Sequence, residues 1–73
     1  MKIYRIEIWC SDDSCTEFWF NKPISDFYLD RKKAEEELAK YKNYNSRQLE
    51  ILANVIYVSD NKPYIEEYDV IAD

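Results

Sequence analysis

Residues 30–43, DRKKAEEELAKYKN, are the stretch whose reading decides the fold. Asp30 is a residue of N-cap type, and Ala34, Leu38 and Tyr41 recur at the i, i+4, i+7 spacing of one buried stripe. The opposite side carries pairs four apart: Arg31 with Glu35, Lys32 with Glu36, Lys33 with Glu37, and Glu36 with Lys40. These spacings predict a helix with a thin core face and a solvated, self-neutralised outer face. A basic patch of Lys22, Arg31, Lys32, Lys33 and Arg47 is the competing reading of the same charges. Two strand-like runs precede the helix and two follow, so it is the element able to roof a sheet built from both halves of the chain.

Working back from the helix, Asn21-Lys22-Pro23 closes a hairpin, because proline cannot donate to a central ladder. Phe27 or Leu29 supplies the apolar residue ahead of the cap. Residues 2–10 alternate, with Tyr4, Ile6 and Ile8 on one face and Arg5, Glu7 and Trp9 on the other. Ser11-Asp12-Asp13-Ser14 is turn chemistry, and residues 16–21 resume as a strand. Two registers are open. With Cys10 opposite Cys15, Phe18 and Phe20 would share a face with Glu7 and Arg5. With Cys10 opposite Thr16, Ile8 meets Phe18, Ile6 meets Phe20, and the other face gathers Trp9, Trp19, Arg5, Glu7 and Glu17. The second keeps the faces unmixed and is preferred. It also favours two reduced thiols. The first register would bring the two Cα atoms within roughly 4.5 to 5.5 Å, in disulfide range.

Working forward, Asn43 and Asn45 are suited to the left-handed conformation that stops a helix in a chain with no glycine. Residues 49–58 are ambiguous. Leu49, Leu52, Ala53 and Ile56 fit a helical stripe with Ser46 as a cap, but Ile51, Val55, Ile56, Tyr57 and Val58 are β-branched or aromatic, which favours a strand. Ser59-Asp60-Asn61-Lys62 then reads as the turn of a second hairpin, with residues 64–71 returning. In that pairing Tyr57 faces Tyr64, Val55 faces Glu66, Ala53 faces Tyr68 and Ile51 faces Val70 on the core side. Leu52, Ile56 and Val58 lie beside Ile65, Glu67, Asp69 and Ile71 on the other. The expected architecture is α+β: ββαββ, a mainly antiparallel four-stranded sheet with one helix packed on one face, forming a single small domain over residues 1–73.

The chain has 73 residues, so its core is small and its stability margin narrow; an aromatic content of 16% is dense material for that core. The net charge of -5 argues against direct nucleic-acid or anionic-membrane binding, which depends on Lys and Arg. The absence of His removes the usual neutral-pH base, and the absence of Gly removes Gly-rich phosphate loops. Ser11, Ser14 and Cys15 lack a His partner, and Glu66 and Glu67 point to opposite faces of a strand. No catalytic, cofactor or metal residue is assigned. Two Cys could complete a zinc site only with Asp12 and Asp13 or a second chain. Met1-Lys2 enters a strand with no apolar leader, so a reducing cytoplasm is the expected location.

The helix covers one sheet face, leaving Trp9, Trp19, Leu52, Ile56, Val58, Ile65 and Ile71 on the other, rimmed by Glu7, Glu17, Glu67 and Asp69. Exposed aromatic patches of this kind mark interaction sites. Residues 59–73 hold Asp60, Glu66, Glu67, Asp69 and Asp73 against Lys62, five acids less one base, or -4. An acidic ridge beside aromatic anchors is complementary to a basic groove. The expected partner-binding set is Trp9, Trp19, Glu17, Ile56, Ile65, Glu66, Glu67 and Asp69, engaging a protein, with a basic nucleic-acid-binding protein as the fitting class. The alternative is a homodimer that buries the same face.

In size, composition and the pattern of a hairpin followed by FYLDRKKAEEEL, the chain resembles the small acidic accessory proteins of phages and other mobile elements, among them anti-CRISPR inhibitors. That resemblance implies a stoichiometric inhibitor that blocks a host nucleic-acid-handling protein.

Overall fold

The structure is a computed structural model and describes residues 1–14, 17–59 and 62–71. Six elements follow in order: β1 (Lys2–Ser11), β2 (Phe20–Pro23), α1 (Arg31–Lys40), α2 (Ser46–Ala53), β3 (Tyr57–Val58) and β4 (Tyr64–Asp69). The class is α+β with a four-stranded antiparallel sheet, but there are two helices, and the order is ββααββ. None of the helices among the described residues is long and apolar enough to cross a membrane.

β1 is the axis of the molecule. β2 pairs with it through Cys10↔Phe20, Trp9↔Asn21, Ile8↔Lys22 and Glu7↔Pro23. The expected partner of Cys10 was Thr16, so the register is displaced by four residues (20 less 16). An even displacement preserves every face, so Phe20 still lies with Ile6 and Ile8, and Trp19 still lies with Trp9. Cys15 and Thr16, on which the cysteine and register expectations turned, lie outside the described residues. Pro23 closes β2 opposite Glu7, as a proline on an edge strand should. Beyond it the chain keeps to the same edge. Ile24 donates its N–H to the Ile6 carbonyl at 2.9 Å, the Ile6 N–H is taken by Ser25 Oγ at 2.9 Å, and Tyr28 bridges Tyr4.

Among the described residues β3 and β4 do not pair with each other as the expected second hairpin would require. Cys10 pairs with both Phe20 and Val58, and Glu7 with both Pro23 and Tyr64, so β3 and β4 both occupy the edge of β1 opposite β2. They run in the same direction, end to end. Asp60 and Asn61 of the expected turn lie outside the described residues.

The other correction is α2, where a strand was expected. Asn45 Oδ1 accepts the Gln48 N–H at 2.8 Å and Gln48 Oε1 accepts the Asn45 N–H at 2.9 Å, a reciprocal capping box. Asn54 ends the helix at φ 57, ψ 49, the left-handed stop that Gly would normally supply. Asn45 therefore starts a helix, and the expected stop at Asn43 or Asn45 is replaced by Tyr41 in right-handed geometry. Local capping, with Leu49 and Ala53 turned inward, makes residues 46–53 a helix, and of the expected strand Tyr57–Val58 alone pairs as one.

α1 follows the sequence reading. Asp30 caps it through Lys32 N–H at 2.9 Å, and Ala34 and Tyr41 are buried with Leu38 beside them. The core joins Ile6, Ile8 and Cys10 of β1 to Tyr41, Leu49 and Ala53, flanked by Ile24, Leu38, Tyr44, Val55, Val58 and Ile65. Among the described residues Tyr41, 7% exposed, is the one buried aromatic residue. The aromatic stock expected to fill the core instead lies largely outside it.

Candidate functional site

Because α1 and α2 both cover the Ile6, Ile8, Cys10 face, the opposite face of the sheet has no helix or second sheet over it among the described residues. Strand alternation assigns its members: Ile3, Arg5, Glu7, Trp9 and Ser11 from β1, and Tyr64, Glu66 and Tyr68 from β4. Asn21 of β2 and Tyr57 of β3 join them as partners of Trp9 and Ser11.

The side chains tile this face in a row. At one end Trp9 and Trp19 stack with ring centroids 6.4 Å apart and planes 16° from parallel, and Trp9 is 40% exposed. Next, the Tyr64 hydroxyl crosses β1 to donate to Asn21 Oδ1. At the other end Phe27 and Tyr68 meet edge to face at 5.8 Å, with the Arg5 guanidinium 4.4 Å from the Phe27 centroid and 5.3 Å from that of Tyr68. Such cation–π contacts hold a guanidinium without desolvating it onto a single ring.

Glu7 lies in the middle and is 2% exposed. Arg5 Nε and Nη2 donate to its Oε2 at 3.1 and 2.9 Å, and the Tyr68 hydroxyl donates to the same oxygen. A buried carboxylate needs such company, since an unpaired one would cost several kcal/mol, about 3 or more. The hydrogen bond to Glu7, with burial, pushes the Tyr68 phenol up, and burial with the Glu7 and Glu66 charges does the same for Tyr64. Both hydroxyls therefore stay protonated donors at neutral pH. On the covered side, burial pushes the Cys10 thiol up, and its S–H points to the Phe20 carbonyl at 3.6 Å.

The expected binding set divides. Trp9, Trp19 and Glu66 share the uncovered face, and exposed Glu17 lies two residues before Trp19. Ile65 does not, because it pairs with Ile6 and packs against the core. Val58 is likewise on the core side. Glu67 and Asp69 also belong to the helix side, where Lys2 Nζ reaches them at 3.0 and 3.6 Å. Their hydrogen bonds and charges raise the Lys2 pKa. Ile56 follows α2 and lines a shallow depression with Ile51, Asp12 and Arg47. The physical reason is one of parity. The faces of β4 were deduced from a hairpin with residues 49–58, whereas its true partner is β1, and pairing Ile6 with Ile65 inverts the assignment.

That inversion explains what was missed: Tyr64 and Tyr68 belong to the face and Glu67 and Asp69 leave it, while Phe27 joins it through its edge-to-face contact with Tyr68. The period-two pattern Tyr64, Glu66, Tyr68 carried the signal, once the central strand was taken as partner.

Among the described residues, Arg5 is the one cation on the uncovered side of the sheet strands, and Glu7 holds it. Arg5 stands directly opposite Glu66 yet directs its guanidinium away, so Glu66 has no cation within bonding distance among the described residues. The result is an aromatic surface with uncompensated acid. Comparison with protein-family models, curated proteins and solved structures finds no match to this chain.

Proposed function

We propose that this protein is a non-enzymatic binding module that engages a basic protein surface through its uncovered sheet face. The observation that carries this reading is the stacked, part-exposed Trp9–Trp19 pair in one row with Tyr64, Glu66 and Tyr68. Arginine side chains of a partner would stack on these rings and pair with Glu66 and Glu17, as Arg5 already does with Phe27, Tyr68 and Glu7. Action by occupancy follows: the module blocks a basic, nucleic-acid-handling site as a stoichiometric inhibitor, the role that the resemblance to phage accessory proteins implies.

The test is a titration of the full chain with an irregular arginine-rich peptide and with a glutamate-rich control, followed by tryptophan fluorescence at several salt concentrations. Binding of the basic peptide alone, with a changed tryptophan signal and affinity falling as salt rises, supports the reading. Equal behaviour of the two peptides, or no binding, overturns it.

A further inference from the structure

Resting on that reading of a basic partner, we infer that the partner enters as an extended segment added as a strand along the outer edge of β4. The hydrogen-bond phase of the sheet leads there. Val70 N–H donates to the Met1 carbonyl at 2.8 Å and the Met1 amino group reaches the Val70 carbonyl, so this opposed pair exchanges both bonds. In an antiparallel ladder such pairs alternate. Ile3 with Tyr68, Arg5 with Glu66 and Glu7 with Tyr64 are therefore the bonded pairs, and the N–H and C=O groups of Ile65, Glu67 and Asp69 turn outward. β4 pairs with β1 alone, and no backbone group among the described residues bonds these three from the outside.

An open edge of six residues is a template for another strand. Its side chains select which. A second copy of β4 laid antiparallel would set Glu66 opposite Glu66, Glu67 opposite Glu67 or Glu67 opposite Asp69, according to its register, and like charges placed opposite repel. A strand carrying Lys or Arg on the uncovered side instead meets Glu66, the carboxylate that Arg5 leaves without a cation, between the rings of Tyr64 and Tyr68. On the helix side Glu67 and Asp69 already share the Lys2 ammonium, at 3.0 and 3.6 Å, which makes a cation less needed there than at Glu66.

What the helix side offers is a groove of about 370 Å³ whose lining joins apolar Leu38, Ala39, Tyr41 and Pro63 to Glu35, Lys42 and Lys62. It lies between α1 and Lys62 and Pro63, the residues that lead into β4. The residue of an added strand opposite Ile65 projects to the helix side, the side to which Leu38 and Ile65 belong. The inferred ligand is thus an extended segment in which basic residues alternate with apolar ones, basic toward Glu66 and apolar toward Leu38 and Pro63.

The test uses the full chain and a capped peptide of Lys and Arg alternating with Val and Ile, read by amide hydrogen exchange residue by residue and by tryptophan fluorescence. Exchange at Ile65, Glu67 and Asp69 should slow by about tenfold or more on binding, while Tyr64, Glu66 and Tyr68, already bonded to β1, change little. Glu67→Pro removes one outward N–H without touching the β1 ladder and should abolish binding, whereas Glu67→Gln, which keeps that N–H, should retain it. A peptide N-methylated on alternate residues gives the same contrast without altering the protein: one of the two possible phases should bind and the other should not. Binding that leaves those three amides exchanging as before overturns strand addition while leaving the face reading intact. Protection at the edge with affinity indifferent to Trp9→Ala and Trp19→Ala leaves strand addition standing and overturns the face reading. Absence of binding overturns both.

Discussion

Glu7 combines two properties seldom found together: it lies on the face without a helix, and it is 2% exposed. Three donors converge on one of its oxygens, so the charge is held by geometry more than by depth. Glu7→Ala would leave the Arg5 guanidinium and the Tyr68 hydroxyl without their acceptor, and should lower stability by about 2 to 4 kcal/mol in a denaturant titration. Tyr41 makes a different prediction. Burial, and then its hydrogen bond to Glu37, push its phenol from the ordinary 10.0 up to about 12. The native state keeps a proton that the unfolded chain has lost, so stability falls as pH rises. The contribution is intact below pH 10 and declines progressively until it is lost as pH passes about 12; Tyr41→Phe should flatten this alkaline slope in unfolding curves. Glu37 has the opposite sign. The hydrogen bond from Lys40 lowers it from 4.5, so its support is present above that value and fades as pH falls through the lowered one.

At the scale of elements, the decisive one is α2. Its capping box predicts that Asn45→Ala costs about 1 kcal/mol. Asn54, at φ 57, should accept Gly with little change, while Asn54→Val should cost about 1 to 2 kcal/mol; thermal unfolding of the two variants checks the left-handed stop. Both signals stood in the sequence as Asn45-Ser46-Arg47-Gln48 and Asn54, but read from the sequence Asn45 is a stop and Ser46 the cap, and the β-branched and aromatic residues 55–58 decide for a strand. α1 was legible because cap, stripe and ion pairs all agree, although the pairs realised are Arg31 with Glu35 and Lys40 with Glu37. The tryptophan pair was legible for a subtler reason. A four-residue error in register leaves parity untouched, so Trp9 and Trp19 stayed together. β4 was legible as a strand, expected at residues 64–71 and found at Tyr64–Asp69, but its faces were not, because its partner lies more than fifty residues away and the nearest strand-like run stood in its place.

At the scale of the whole molecule, the sheet is a two-sided object whose sides differ in chemistry. One is an aliphatic core under two helices, the other an aromatic row with Arg5 and Glu7 locked into it and Glu66 left over. The acid on β4 disfavours pairing with a second copy. Sedimentation over a wide concentration range should therefore give a monomer, and a tight dimer would mean that the uncovered face closes on itself. The measurement that bears most directly on the binding face is the paired variant Trp9→Ala with Trp19→Ala, followed in parallel by denaturant unfolding and by arginine-rich peptide titration. Loss of about 1 kcal/mol of stability, the worth of one stacked pair, with affinity down by about tenfold or more is the predicted result. An unfolded variant, or one that binds the peptide as tightly as the parent, would contradict it.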